Sequence, residues 1–301
     1  MCKKFYKYKS FTDENGNDVS LWTLDSLANK YFYFSRPEQL NDPIDCRVFN
    51  EYEVEDKDIQ NWIDRKPSRE KFTVESIRAQ LNTNKFQRTM EERARKDEQH
   101  FHVLSLTDNW NNSHMWERYA NQYEGICIGY ASTFCDDCDY IKAVEIVGNL
   151  PILKSSFRNV EGEAFFELQK VQYDNNGEYK YNIFKSLDKN NKEAIEYALL
   201  HKTKKWSNEN EYRKIIMDTL NSCSPHDFTP KDLRVFYPDT VLSEICFGYK
   251  CDLEKRKQVF NCIKECYSNW KDIHFYNVKQ EQPDGILERE EVFYETVKVF
   301  L

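Results

Sequence analysis

Two glutamates separated by one residue lie in the segment WSNENEYR, which runs from Trp206 to Arg213. On a strand, side chains two residues apart point to the same face, so Glu209 and Glu211 would share a face. The cations around this pair are Lys202, Lys204, Lys205, Arg213 and Lys214. A carboxylate among cations stays ionised, and it can hold a ribose hydroxyl or stabilise a developing cation. The alternative is an edge strand with solvated salt bridges, which contribute little to stability.

A polar loop with the sequence RPEQLNDP forms the second candidate. Its two prolines restrict the backbone. Arg36, Asn41 and Asp42 offer a cation, an amide and a carboxylate on this loop. Such a loop can bind the phosphate or the ribose of a nucleotide. Equally, Asn41 and Asp42 can satisfy their own backbone in an Asx-type turn.

An aromatic stripe forms the third candidate. In a helix, Trp116, Tyr119 and Tyr123 would fall on one side because they recur at helical spacing. Such a stripe packs in a core or offers a platform to a ligand ring, and the spacing leaves both functions open. Asn112 or Ser113 can cap the start of this helix, where unpaired backbone amides attract phosphate.

A metal site would be another use for the cysteines and carboxylates. Cys135 and Cys138 have the two-residue gap of a zinc knuckle, and Cys262 with Cys266 could supply a second pair. Cysteine also packs as a small apolar residue, and on that interpretation we expect no metal. A nuclease that uses a divalent metal is a further hypothesis, although the spacing of its carboxylates defines no site. Those carboxylates are Asp42, Asp45, Glu209 and Glu211.

The composition of the 301-residue chain narrows the functional classes. The 43 Lys and Arg against 51 Asp and Glu give a net charge of −8, which does not suit gripping duplex DNA through its phosphates alone. Aromatic residues make up 15%, whereas disordered chains are poor in them. No apolar run suits a membrane span, and none follows the basic start as in a secretory signal. We therefore expect a folded cytoplasmic protein with reduced cysteines.

The order of predicted elements indicates an α+β fold, with a mixed, mainly antiparallel sheet as its core and helical insertions. The best-defined stretch is a strand at 100–107, a helix after Asn112, a left-handed helix exit at Gly125 and another strand. Residues from about 50 to 99 are highly charged, which predicts an exposed, mainly helical insertion. No linker is evident, so we expect 1–301 to form a single domain.

The C-terminal half is predicted to contain a helix at 190–205, a strand over Tyr212–Met217 and a last strand at 292–300. The predicted helix ends in a basic tract at 201–205, followed by Trp206. A basic helix C-terminus is stabilised by the helix dipole. The same residues could instead receive a single-stranded nucleic acid by charge and stacking.

Several segments together resemble the bacterial family known as domain of unknown function 2971. They are FYKY, FSRPEQLNDPID, SLTDNWNNSHMWERYANQYEGICIGY, a short VQY strand, KTKKWSNENEYR and VLSEICFGYK. The resemblance covers about residues 5–250 and leaves 50–99 outside.

The order of these segments is also similar to that of ADP-ribosyltransferase toxins that modify nucleic acids. This resemblance implies an ADP-ribosyltransferase-like fold with NAD as the substrate. It implies that Glu211, with Glu209 beside it, holds the ribose 2′-hydroxyl while the nicotinamide bond breaks through an oxocarbenium-like state. Lys7 stands where that family carries His or Arg. The implied NAD contacts are Lys7, Tyr8, Arg36, Asn41, Asp42, Trp116, Tyr119 and Arg213.

The leading hypothesis is therefore a cytoplasmic enzyme that transfers or cleaves ADP-ribose from NAD, as a toxin or antiphage effector does. Its acceptor would be a nucleic acid or a protein, and an antidote or neighbouring partner protein is compatible with it. The second hypothesis is a non-catalytic sensor domain that binds a nucleotide or a partner protein. The third is the metal-dependent nuclease. No membrane partner is expected.

Overall fold

The computed structural model describes most of the chain in two compact units. The described residues are 3–13, 15–65, 67–135, 138–143, 158–160, 163–174, 180–185, 189–217, 234–280 and 286–292. The first unit comprises Met1–Phe34, Val103–Lys170 and Ser207–Leu301, and the second comprises Ser35–His102 and Val171–Trp206. The predicted insertion at 50–99 lies in the second unit, which also contains residues from further along the chain.

The strands are β1 (Lys4–Lys9), β2 (Tyr31–Tyr33), β3 (Asn50–Glu51), β4 (Phe101–Thr107), β5 (Ile126–Ala131), β6 (Thr133–Cys135), β7 (Cys138–Ala143), β8 (Arg158–Val160), β9 (Glu163–Glu167), β10 (Gln169–Lys170), β11 (Gln172–Asp174), β12 (Tyr181–Asn182), β13 (His201–Thr203), β14 (Glu211–Met217), β15 (Arg234–Phe236), β16 (Leu242–Phe247), β17 (His274–Gln280) and β18 (Leu287–Glu291). The α-helices are α1 (Ser20–Ala28), α2 (Asp56–Asp64), α3 (Val74–Leu81), α4 (Asn84–Glu98), α5 (Ser113–Tyr119), α6 (Lys189–Leu200) and α7 (Leu253–Cys266). Short 3-10 helices include Pro37–Gln39 and Lys204–Glu209.

An eight-stranded sheet dominates the first unit, in the order β10-β14-β4-β1-β5-β16-β17-β18. β1 pairs antiparallel with β4 and β5, and β5 pairs antiparallel with β16. β16 and β17 are parallel. The predicted α+β class with a mixed, mainly antiparallel sheet is therefore confirmed.

The two faces of this sheet differ in chemistry because side chains alternate along each strand. One face is apolar and carries Phe5, Ile128 and Ile245, which belong to the main core together with residues of α1 and α7. The opposite face carries Tyr6, Tyr8, Cys127 and Cys246, and the buried residues of α5 pack against it. Tyr8 therefore lies on the α5 side of the sheet, whereas Lys7, which pairs with Ile128, lies on the face of the main core.

The turn after α5 does not follow the predicted glycine exit. Asn121, Gln122 and Tyr123 all take the left-handed conformation, with φ of 43°, 51° and 72°. Gly125 serves another purpose, since a Cβ there would lie 2.1 Å from the carbonyl oxygen of Lys9. The prediction was wrong because a close approach of the first strand, and not a positive φ, requires this glycine.

The charged stretch at 50–99 contains α2, α3 and α4. Its apolar residues form a separate core in the second unit, centred on Ile59, Ile63 and Ile77. The helix predicted at 190–205 ends at Leu200, and the following β13 pairs in parallel with β11. The basic tract is therefore not a helix C-terminus, because its first residues are hydrogen-bonded in a sheet. The strand predicted at 292–300 lies outside the described residues except for Val292.

Gly129 is expected to be sensitive to an added methyl group. A Cβ there would lie 2.5 Å from Cγ of Glu244 and 3.0 Å from Cε1 of Tyr6, on strands that cannot separate. Gly129→Ala should therefore lower the free energy of unfolding by about 1–3 kcal/mol, measured by urea denaturation. Gly16→Ala is the control, since its Cβ meets nothing within 4 Å and only the φ of +80° opposes it. A smaller loss for Gly129→Ala than for Gly16→Ala would contradict this account.

Candidate functional site

The two candidate glutamates do not alternate on one strand. Glu209 is the last residue of a 3-10 helix, and Asn210 then turns with a φ of 45° before β14 begins at Glu211. The shared face that a strand would give the two carboxylates is therefore absent, because this left-handed residue separates them into different elements.

Glu209 is bound to the aromatic helix of the first unit. The hydroxyl of Tyr119 on α5 donates a hydrogen bond of 2.5 Å to Oε1 of Glu209, which is only 3% exposed. At the other end of α5, the Asn112 side chain accepts from the backbone N–H of Met115 and donates to the carbonyl oxygen of Asn208. Hydrogen bonds at both ends of α5 therefore join the aromatic segment to the WSNENEYR segment.

Glu211 forms a two-point ion pair with Arg213 on the same strand. Nε of Arg213 lies 2.7 Å from Oε1 of Glu211, and Nη2 lies 3.1 Å from Oε2. Arg213 is fully buried and Glu211 is 5% exposed, so the charges neutralise each other out of water. Tyr212, between them, packs on the apolar face with its ring 5.0 Å from that of Phe5. Alternation therefore places the ion pair on the α5 side of the sheet.

The predicted contacts on the first strand are both hydrogen-bonded to backbone carbonyls. Lys7 Nζ donates to the carbonyl oxygen of Ser105 at 2.9 Å. The hydroxyl of Tyr8 donates to the backbone carbonyl oxygen of Asn109, also at 2.9 Å. Burial raises the pKa of Tyr8 well above its ordinary value, so its hydroxyl stays protonated. Both side chains secure the segment that precedes α5.

Trp116 lies in the core and not at a surface. It is fully buried, its Nε1 donates to the carbonyl oxygen of Trp110 at 2.8 Å, and its ring stacks 5.8 Å from that of Tyr123. The edge contact with Tyr8 at 5.1 Å completes its environment. The Trp116 ring has no exposed face for nicotinamide, whereas Tyr119 is only half-buried.

In the second unit, the proline-rich loop is tied to the KTKKW segment. Asp42 accepts a hydrogen bond from Nε1 of Trp206 and pairs with Lys205 at 3.6 Å. Asp45 pairs with Lys202 at 3.3 Å, and both of these side chains are almost completely buried. Each aspartate thus has an ammonium partner, which competes with a divalent cation for its oxygens.

Arg36 and Asn41 lie on the same loop of the second unit. Arg36 Nη1 is 3.8 Å from Oε1 of Glu38, while its Nε is buried without a hydrogen-bond partner. Asn41 is exposed and borders a cavity of about 360 Å³ with Arg47 and Arg95. Their predicted contact with NAD stays a prediction.

A charged cluster that the sequence analysis missed surrounds Glu244 in the first unit. This fully buried carboxylate on β16 accepts from Lys4 through Oε2 and from Arg289 through Oε1. The Arg289 guanidinium stacks 4.1 Å from the ring centroid of Tyr276 and 4.6 Å from that of Trp110. Burial and the negative charge of Glu244 raise the pKa of the neighbouring Cys246 thiol to about 12.

One signal for this cluster was present in the sequence. A lone carboxylate in the apolar strand VLSEICF needs a buried partner, which marks Glu244 as unusual. Its partners carry no comparable signal, because Lys4 and Arg289 lie in charged stretches at opposite ends of the chain.

The cysteines show the packing that the simpler interpretation expects where their side chains are described. Cys127, Cys246 and Cys251 are buried free thiols, and Cys262 lies against the core. The side chains of Cys135 and Cys138 lie outside the described residues. Within the described ranges, no group of three or more His, Cys, Asp or Glu side chains is placed to hold a metal ion. No described helix is both long enough and apolar enough to cross a membrane.

The fold and the geometry define an α+β protein in which a tyrosine–carboxylate pair and a buried carboxylate–guanidinium pair lie beside one sheet. Residues 115–214, about a third of the chain, match the model of the family described as protein of unknown function (DUF2971). Over these residues the match agrees with the resemblance to that family. No curated protein and no solved structure gives a significant match.

The Glu244 cluster should make stability depend on pH. Burial raises the pKa of Glu244, but hydrogen bonds from Lys4 and Arg289 outweigh this effect and lower it overall. A lowered folded-state pKa gives stabilisation that is complete above the unfolded value of about 4.3 and lost as the pH falls below it. Glu244→Gln should therefore cost about 3 kcal/mol at pH 7, since two cations lose their partner.

Urea denaturation of both proteins at pH 7, 5 and 3.5 measures this difference. We expect the gap between wild type and Glu244→Gln to be similar at pH 7 and 5 and smaller at pH 3.5. Glu288→Gln, which changes an exposed carboxylate on β18, is the matched control and should show little loss at any pH. A gap that stays constant down to pH 3.5 would show that the carboxylate charge contributes nothing.

Proposed function

We propose that this protein binds NAD and transfers or cleaves its ADP-ribose group, with Glu209 and Glu211 as the catalytic carboxylates. The observation that carries the proposal is the hydrogen bond between Tyr119 and Glu209. The family match begins at Met115 in α5 and ends at Lys214 in β14, so this bond joins the two ends of the matched segment. The matched segment thus contains a hydroxyl–carboxylate pair and an ion-paired glutamate.

The chemistry needs an ionised carboxylate in a fixed position. When the bond between ribose C1′ and the nicotinamide nitrogen breaks, the electron pair leaves with nicotinamide and positive charge develops on the sugar. Arg213 fixes the orientation of Glu211 through two hydrogen bonds. In this proposal the Glu211 carboxylate accepts a hydrogen bond from the ribose 2′-hydroxyl.

Tyr119 and Glu209 would complete this site. Tyr119 is half-buried, and its hydroxyl already donates to Glu209. A second carboxylate close to a developing sugar cation stabilises it without any reorganisation during the reaction. In this proposal Glu209 faces the sugar and Tyr119 positions it, while the acceptor is water, a nucleic acid or a protein.

An NAD titration with product analysis tests the proposal. Wild type should bind NAD and release nicotinamide, detected by mass spectrometry. Glu211→Gln and Glu209→Gln keep the size of the side chain but remove its charge, so each should lower kcat by about 100-fold or more. Tyr119→Phe removes one hydrogen bond and should lower kcat by less than either.

The controls separate catalysis from folding. Glu265→Gln changes an exposed carboxylate on α7 and should leave nicotinamide release unchanged. Circular dichroism must show that every variant is folded. A folded wild type that does not bind millimolar NAD, or variants that release nicotinamide at the wild-type rate, would exclude the proposed enzyme.

A non-catalytic nucleotide-binding or partner-binding domain is the second candidate. The burial of Glu209 and Glu211 favours it, because both carboxylates already have partners within the protein. In that case NAD or another nucleotide would bind, Glu209→Ala would weaken binding, and no nicotinamide would accumulate in any variant.

A further inference from the structure

Two adjoining cavities in the second unit form a groove that the proposed function does not use. One has a volume of about 450 Å³ and the other about 360 Å³. Arg47, Arg95 and Glu98 line both cavities, so the two meet at these side chains. We propose that this groove binds single-stranded nucleic acid, with a backbone phosphate at Arg47 and Arg95 and a base against Phe49.

The cations at the junction are available to a phosphate. Arg95 is exposed on α4, and among the described residues it has no hydrogen-bonded or ion-paired partner. Arg47 is half-exposed, with its Nε 3.9 Å from Oε2 of Glu98. Lys180, at the far side of the larger cavity, is likewise exposed and unpaired within the described ranges. Phosphate oxygens are the ligands that such guanidinium and ammonium groups favour.

Carboxylates also line the groove, with Glu91 in the larger cavity, Glu38 in the smaller cavity and Glu98 in both. Glu98 is paired with Arg47. It is buried, and its Oε1 accepts from the backbone N–H of Val48 at 2.8 Å. Burial raises the pKa of Glu98, and the nearby positive charges of Arg47 and Arg95 oppose that rise. Both guanidinium groups therefore lie close to one carboxylate, at the place where the two cavities meet.

The larger cavity offers an aromatic surface for a base. Phe49 is 53% exposed, although its backbone is fixed by a hydrogen bond of 2.8 Å from the N–H of Tyr181. Tyr52 lines the same cavity, with its hydroxyl held by the carbonyl oxygen of Gln87 at 3.1 Å. Exposed aromatic rings beside cations bind single-stranded nucleic acids without reading their sequence.

The smaller cavity supplies the second side of the junction. The exposed Asn41 lines it together with Pro37 and Pro43, so an amide on a stiff loop faces the groove. The two arginines thus lie between two cavities, which is the order of groups that a base, a phosphate and a second base require. The binding surface is a local one, since the chain as a whole carries a net charge of −8.

Fluorescence anisotropy with a labelled 12-nucleotide oligo-dT tests this inference on the full-length protein. Phe49→Leu keeps an apolar side chain but removes the ring, and it should weaken binding about 5- to 100-fold. Arg95→Gln should weaken binding and reduce the dependence of log Kd on log salt by about one unit. Arg93→Gln is the matched control, because it lies on the opposite side of the same helix and should change Kd less than about 2-fold.

Three outcomes would overturn the inference: no binding of the oligonucleotide, equal binding of the matching duplex, or an affinity that Phe49→Leu and Arg95→Gln leave unchanged. Displacement of the oligonucleotide by NAD would also overturn it, because the groove would then be a dinucleotide site. The result does not depend on the proposed enzyme. A protein that never releases nicotinamide can still bind the oligonucleotide, and a working enzyme can fail to bind it.

Discussion

Glu244, Arg213 and Lys202 are all removed from solvent, and a charge in that position is tolerated only when an opposite charge is buried with it. The structure meets this constraint each time with a partner at hydrogen-bonding or ion-pairing distance: Arg289, Glu211 and Asp45. The partners come from distant parts of the sequence in two of the three cases. Strand register in the first unit and loop position in the second are therefore fixed by charge as well as by apolar packing.

Much of the fold could be predicted from local patterns. The strand predicted at 100–107 is β4, the Asn112 cap predicts the start of α5, and the strand predicted over Tyr212–Met217 is β14. These elements follow local rules, so their sequences are sufficient. The exit of α5 could not be predicted, since three consecutive non-glycine residues adopt a positive φ, which no local sequence pattern indicates. The end of α6 was missed for a similar reason, because pairing with β11 overrides helix propensity at His201.

The sequence predicts individual residues of the candidate site but not the hydrogen bonds and ion pairs between them. The sequence marks Tyr119 and Glu209 as candidates, yet nothing in their separation of 90 positions indicates a hydrogen bond. The position of Trp116 could not be predicted either, since its helical spacing fits a core residue and a ligand platform equally well. The structure places it in the core. Glu244 was visible only as an exception in an apolar strand. Partner identity is a property of the tertiary structure, and single-sequence patterns do not contain it.

Segments of the two units alternate along the chain, and this alternation affects folding during synthesis. The polypeptide passes between the two units four times, at 34/35, 102/103, 170/171 and 206/207. Neither unit is a continuous segment, so no single cut releases one of them intact. During synthesis, the second unit lacks its last strand until residue 206 has left the ribosome, and the first lacks the edge of its sheet until β18 has followed. The second unit can therefore complete its fold before the first unit, which has to wait for its edge strand.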